Sequence, residues 1–156
     1  MCWKCDHPDS TVEEWLEAIY ALVVKNGWAV QFVESDTRPY AYTIGLHQRG
    51  LPELLVTGVP PPQAVRLLNT IAEYLLDGGR PTPGHRITIA DGDAELEVVQ
   101  VEHPDAHMNV AVAFYGPELR ALQLVWADDR GHWPWCPAFG DGKARQPVLG
   151  VRFCPH

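Results

Sequence analysis

Trp28-Ala29-Val30-Gln31-Phe32-Val33-Glu34, then Ser35-Asp36-Thr37-Arg38-Pro39, then Tyr40-Ala41-Tyr42-Thr43-Ile44-Gly45-Leu46 is the stretch on which the fold turns. Its two flanks are rich in β-branched and aromatic residues, and its centre holds turn formers. That pattern predicts an antiparallel hairpin. Leu51 to Gly58 adds a third short apolar strand. Further on, Arg86 to Ala90 and Ala94 to Glu102 read as a second strand pair joined by Asp91-Gly92-Asp93. In the latter strand Leu96 and Val98 face one way, and Glu95, Glu97 and Val99 the other. Leu119 to Trp126 supplies the last strand.

Helices fill the gaps. Ser10-Thr11-Val12-Glu13 has capping-box spacing. Val12, Trp15, Leu16, Ile19, Tyr20 and Val23 then recur at helical intervals until Asn26-Gly27 stops them. A second helix starts in Pro60-Pro61-Pro62, where the missing N–H of proline costs nothing. It carries an apolar face from Ala64 to Leu76 and ends at Gly78-Gly79. Asp105 to Tyr115 reads as a short helix after Pro104, although Val110, Val112 and Phe114 also alternate as in a strand. From His132 onward Trp, Pro and Gly predict a surface wrap.

The order α-β-β-β-α-β-β-(α)-β lacks regular βαβ alternation. It predicts an α+β fold, an antiparallel or mixed sheet of about five to six strands with two to three helices packed on one face. The whole chain, 1–156, reads as a single domain. Residues 1–10 form an N-terminal Cys-x-x-Cys segment and 127–156 the C-terminal wrap.

Composition narrows the function. The 156 residues are 46% hydrophobic and 21% charged, which is globular rather than disordered. With 12 basic and 20 acidic residues the net charge is −8, which argues against duplex nucleic acid as a partner. No apolar run reaches the roughly 18–20 residues of a membrane span. Met1 to Pro8 lacks an apolar signal core, so a cytoplasmic protein is expected.

Cys2 and Cys5 form the sharpest chemical signal. Two thiolates at Cys-x-x-Cys spacing can clamp one zinc ion. His7, Cys136 and Cys154 are candidates to complete the site, with His132 and His156 as further options, so that the metal would tie the chain ends together. The competing readings are reduced thiols in a terminal segment and redox exchange, the latter lacking the strand that normally precedes such a dithiol. An N-terminal Cys2 nucleophile, exposed by Met1 removal, is a further option.

Other constellations carry plainer readings beside the chemical ones. His103-Pro104-Asp105-Ala106-His107 places two imidazoles four apart, as in a metal pair or as surface and capping histidines. Arg38, Tyr40, Tyr42, Thr43 and His47, followed by Glu53, line a polar pocket or belong to an ordinary packed strand pair. No phosphate loop, dinucleotide fingerprint or nucleophile elbow is present. Trp126 ends the most apolar strand and reads as core. Trp133 and Trp135 flank Pro134 and read as a lid over it, with Trp126→Ala costing more than Trp133→Ala.

Several strings together resemble a bacterial family known as domain of unknown function 4262. They are Gly27-Trp28-Ala29-Val30, Ala41-Tyr42-Thr43-Ile44-Gly45-Leu46, Leu51-Pro52-Glu53-Leu54, Thr57-Gly58-Val59-Pro60, Leu68-Asn69, Leu122-Gln123-Leu124-Val125-Trp126, Trp133-Pro134-Trp135 and Gln146-Pro147-Val148-Leu149-Gly150. Cys2-x-x-Cys5-Asp6 also looks like the opening of many relatives. The resemblance implies no agreed activity and so no catalytic residue. The chain departs from it at Cys136, where an acidic residue is expected, and at the tail Phe153-Cys154-Pro155-His156.

These readings converge on a small acidic cytoplasmic binding or regulatory protein. It is expected to bind zinc through the N-terminal Cys-x-x-Cys and to act through a protein partner. One alternative is a hydrolase-like enzyme with a polar site near His47 or at His103/His107. The other is an adaptor or immunity-type protein.

Overall fold

In the computed structural model of the chain, residues 11–34, 39–89, 94–142 and 146–151 are described. The elements run α1 (Val12–Asn26), β1 (Ala29–Val33), β2 (Tyr40–Ile44), a 3-10 turn (Leu46–Arg49), β3 (Glu53–Thr57) and α2 (Pro61–Leu76). Then follow β4 (Arg86–Ile89), β5 (Ala94–Gln100), α3 (Pro104–His107), α4 (Asn109–Tyr115), β6 (Ala121–Trp126) and a 3-10 turn (Phe139–Gly142).

One sheet of six strands takes the order β1-β2-β3-β6-β5-β4. Its halves are two antiparallel meanders, β1-β2-β3 and β6-β5-β4, and they meet at the parallel pair β3/β6. The sheet is therefore mixed and the fold α+β. The hairpin register places Ala29 opposite Ile44 and Val33 opposite Tyr40. Residues 105–115, ambiguous in sequence, are helical apart from a break at Met108.

Helices cover both faces, which corrects the expectation of one. On one side α2 packs Ala64, Leu68, Ile71 and Leu75 against Ala41, Leu54, Val56, Leu96, Val98 and Leu124. On the other, Ile19 and Val23 of α1 and Val110 and Ala111 of α4 meet Tyr42, Ile44 and Leu55. The reason lies in the central strands. β3 is buried at every position and β6 at all but its last. A strand buried on both sides needs two covers.

The α1 cap also differs by one residue. Thr11, not Ser10, is the cap, its hydroxyl accepting from the Glu14 N–H at 3.1 Å. Thr11-x-x-Glu14 carries the same capping spacing one position later. Ser10 lies outside the described residues.

The wrap after β6 is held by side chains. Asp128 accepts from the N–H groups of Gly140 (2.8 Å), His132 (2.8 Å) and Arg130 (3.0 Å). These bonds, that of Gly140 foremost, hold its carboxyl below the usual carboxylate range. Returning along the sheet, the wrap is fastened by two buried glutamines. The Gln123 amide donates to the Pro147 carbonyl at 2.8 Å, and its oxygen accepts from Leu149 N–H at 2.7 Å. Gln146 exchanges both amide bonds with the Trp126 backbone, at 2.9 and 2.8 Å. At Gly150 a Cβ would collide with the Gln100 carbonyl, so only glycine admits this close approach.

Trp133 is the buried tryptophan of the wrap, 6% exposed, and lies on Val99 and Val125. Trp126 is half-buried and packs with the α2-side core. Consecutive strand residues point to opposite faces, so Val125 and Trp126 cannot share a cover. The lid therefore sits over Val125 and Val99 rather than over Trp126. The expected order of the two alanine substitutions reverses accordingly.

Candidate functional site

The most polar buried point of the described residues is Glu53, at the start of β3, which is 0% exposed. Its carboxylate closes the turn that leaves β2. Oε2 accepts from Gly45 N–H at 2.9 Å and His47 N–H at 3.3 Å. Oε1 accepts from Leu46 N–H at 3.1 Å and from the Thr43 hydroxyl at 2.9 Å. The Thr43 oxygen in turn accepts from Leu54 N–H at 2.8 Å. A 3-10 turn begins with unpaired N–H groups, and Glu53 supplies their acceptor.

The chain can make this turn because residue 45 is glycine. Gly45 has φ of 124°, and a Cβ there would lie 2.8 Å from Val23 Cγ1 and 3.0 Å from the Gly27 carbonyl. The α1–β1 corner thus presses on the turn that Glu53 holds.

Burial pushes the Glu53 carboxyl up to about 7, against the pull of its hydrogen bonds from Gly45, Thr43, His47 and Leu46. Around it stand two tyrosines. Tyr42 is pushed up to about 12, chiefly by burial, and accepts from the Val110 N–H at 3.1 Å. Tyr115 is also pushed up to about 12, by burial first and then by the Glu53 charge. The Tyr115 hydroxyl is buried, and the Gln48 side chain beside it works against this rise. The exposed His47 ring lies 5.0 Å from that of Tyr115.

Because the folded-state value is raised, the native state holds the Glu53 proton more tightly than the unfolded chain does. The stabilisation linked to that proton is complete below the ordinary glutamate range. It disappears as pH rises through about 7. Urea unfolding between about pH 5 and 8 is therefore expected to show falling stability, and Glu53→Gln a flatter profile. Parallel profiles for the two proteins would contradict the assignment.

The hairpin strip anticipated from sequence divides. Tyr40 and Tyr42 stand side by side, ring centroids 6.3 Å apart, in a cleft of about 500 Å³ between α1, β1, β2 and α4. Thr43 belongs to the Glu53 knot, and His47 lies at the surface. Arg38 lies outside the described residues. His103 and His107 flank one helical turn but line separate cavities. Tyr40 donates to the His107 carbonyl at 2.6 Å.

Of the anticipated metal ligands, Cys136 is described. It is half-buried, unbridged and packed beside Trp133. His132, in the same wrap, places Nδ1 3.5 Å from Asp128 Oδ2. Cys2, Cys5, His7, Cys154 and His156 lie outside the described residues. Among the described residues no group of three or more His, Cys, Asp or Glu is placed to hold a metal ion.

Tyr115, Gln123 and Gln146 were not singled out from sequence. Gln123 and Gln146 stand within strings that carry the family resemblance, as does Glu53, and that was the available signal. Hydrogen bonds join those strings to one another. Trp28 Nε1 donates to Asn69 Oδ1 at 2.9 Å, Trp126 Nε1 to the Thr57 carbonyl at 2.9 Å, and Glu53 holds Thr43 to His47.

Comparison with curated proteins and with solved structures gives no match. The family described as domain of unknown function (DUF4262) matches residues 22–140, well over half of the sequence and every strand of the sheet, and the chain belongs to it.

Proposed function

We propose that this domain is a small acidic binding or regulatory protein that acts through a protein partner docking on α1. The supporting observation is where apolar residues lie exposed. Val12, Tyr20, Leu22 and Val24, all on α1, are exposed, Val24 to 69%. Ile19 and Val23 already bury the inner stripe of this helix. Tyr20 also stacks on Phe114, with ring centroids 6.4 Å apart, and Val12 lines the cleft beside Tyr40. Leu22 and Val24, by contrast, stand exposed, and exposed apolar side chains favour association. Glu13, Glu14 and Glu17 share the helix, and the whole chain carries −8. A partner with an apolar centre and a lysine- or arginine-rich rim fits this surface. The same charge argues against duplex DNA.

Zinc belongs to this reading as a structural cofactor, held by Cys2 and Cys5 with His7, Cys136 or Cys154 completing the ligands. It would tie the chain ends and leave α1 free. The hydrolase alternative gains less support, because the Glu53 carboxylate is occupied by four internal donors.

Affinity capture from the source cells is expected to enrich a basic partner with wild-type protein and to lose it with Val24→Glu. The melting temperature should hardly change, since the site is exposed. Identical capture by both proteins would sink the α1 surface. Elemental analysis is expected to give near one equivalent of zinc, lost in Cys5→Ser. Less than about a tenth of an equivalent in protein handled without chelator would remove zinc from the reading, since structural zinc binds with roughly 10 kcal/mol or more.

A further inference from the structure

Arg80 and Arg120 are 40 positions apart in sequence yet line one cavity of about 390 Å³ at the end of the sheet where β3 and β6 begin and β5 ends. Leu51, Leu75 and Leu122 form its apolar wall, and Gln100 stands at its side. No aspartate or glutamate lines it, although acids outnumber basic residues 20 to 12 in the chain.

The two guanidinium groups are differently prepared. Arg80 Nη1 donates to the Leu75 carbonyl at 2.9 Å and the Gly79 carbonyl at 2.7 Å, which anchors the side chain at the end of α2. Its other donors remain free of protein partners among the described residues. The Arg120 side chain has no hydrogen bond or ion pair among the described residues, while its backbone carbonyl is fixed by Glu53 N–H at 3.0 Å. One planar fork is thus held in place, and a second, without a protein partner among the described residues, lines the same cavity. Guanidinium groups are weakly hydrated and suit oxyanions. The volume lies at the lower end of small-molecule sites.

We propose that this cavity binds a small organic anion, its phosphate or carboxylate group on Arg80 and Arg120 and its apolar body against Leu51, Leu75 and Leu122. The site is separate from α1 and does not depend on the partner reading.

Phenyl phosphate is the probe, titrated into the full chain in chloride buffer at constant ionic strength and followed by ligand-observed NMR. Saturable binding in the millimolar range or tighter is expected. Arg120→Gln should weaken it about tenfold or more, and Arg120→Lys should retain part of the affinity. Both variants should melt with the wild type, because Arg120 is exposed. Inorganic phosphate should bind several-fold more weakly than phenyl phosphate, and benzyl alcohol should not saturate. No saturation by phenyl phosphate up to about 20 mM overturns the proposal. So does equal affinity in wild type and Arg120→Gln, or inorganic phosphate binding as tightly as phenyl phosphate.

Discussion

Replacing Glu53 by alanine is expected to destabilise the domain by about 3–5 kcal/mol, a large part of the stability of an ordinary domain. The substitution removes one buried acceptor and strands four donors: the N–H groups of Gly45, Leu46 and His47 and the Thr43 hydroxyl. Each buried donor left without a partner costs about 1–3 kcal/mol. Three effects reduce the sum. Water reaches His47, which is exposed, and Thr43 can rotate its hydroxyl. Loss of the buried charge, whose burial raises the carboxyl to about 7, returns some stability at neutral pH. Glu53→Gln keeps one oxygen and sets its NH2 against backbone donors, so it should fall between wild type and alanine. Chemical denaturation of the three proteins at one pH measures this order. An alanine variant within about 1 kcal/mol of wild type would mean that water replaces the carboxylate without loss.

The hairpin from Trp28 to Leu46 was legible because its signal is local: two apolar runs with turn residues between them. The Glu53 knot was not, although Glu53, Thr43 and His47 were all marked as polar candidates. Its partners are mostly backbone N–H groups, which carry no sequence signature, and its geometry requires the positive φ of Gly45. The second helical layer was misjudged for a different reason. Leu54-Leu55-Val56 and Leu122 to Trp126 are nearly continuous apolar runs, the mark of strands buried on both faces, and alternation gave no guide there. The cap at Thr11 was missed because Ser10 and Thr11 each stand three residues before a glutamate. Arg80 and Arg120 share no motif at all; only the folding of β6 beside β3 brings them to one cavity.

The same two-sided burial decides between the tryptophans. Trp133→Ala is expected to cost about 3–5 kcal/mol, the range for removing a large buried aromatic side chain. Trp133 closes the sheet over Val99 and Val125, a region that no helix contacts in this cluster. Its ring lies nearly parallel to that of Trp135, centroids 5.4 Å apart, and the Arg86 guanidinium stands 4.6 Å from its centroid. Arg86 also pairs at 3.2 Å with Glu97, whose side chain is almost fully buried. Loss of the Trp133 ring therefore opens a cavity over two buried valines and removes the packing surface of the arginine that neutralises Glu97. Trp126→Ala should cost less. Trp126 is half-buried, and what it leaves is one side of the α2-side core, the Thr57 carbonyl and the ring of Phe139, 5.2 Å away. Its backbone bonds to Gln146 survive the substitution. Thermal melts of the two variants decide the matter. A Trp126→Ala protein that melts below Trp133→Ala would place the main support of the last strand on the α2 side, and would reduce the C-terminal wrap to a cover the fold can lose.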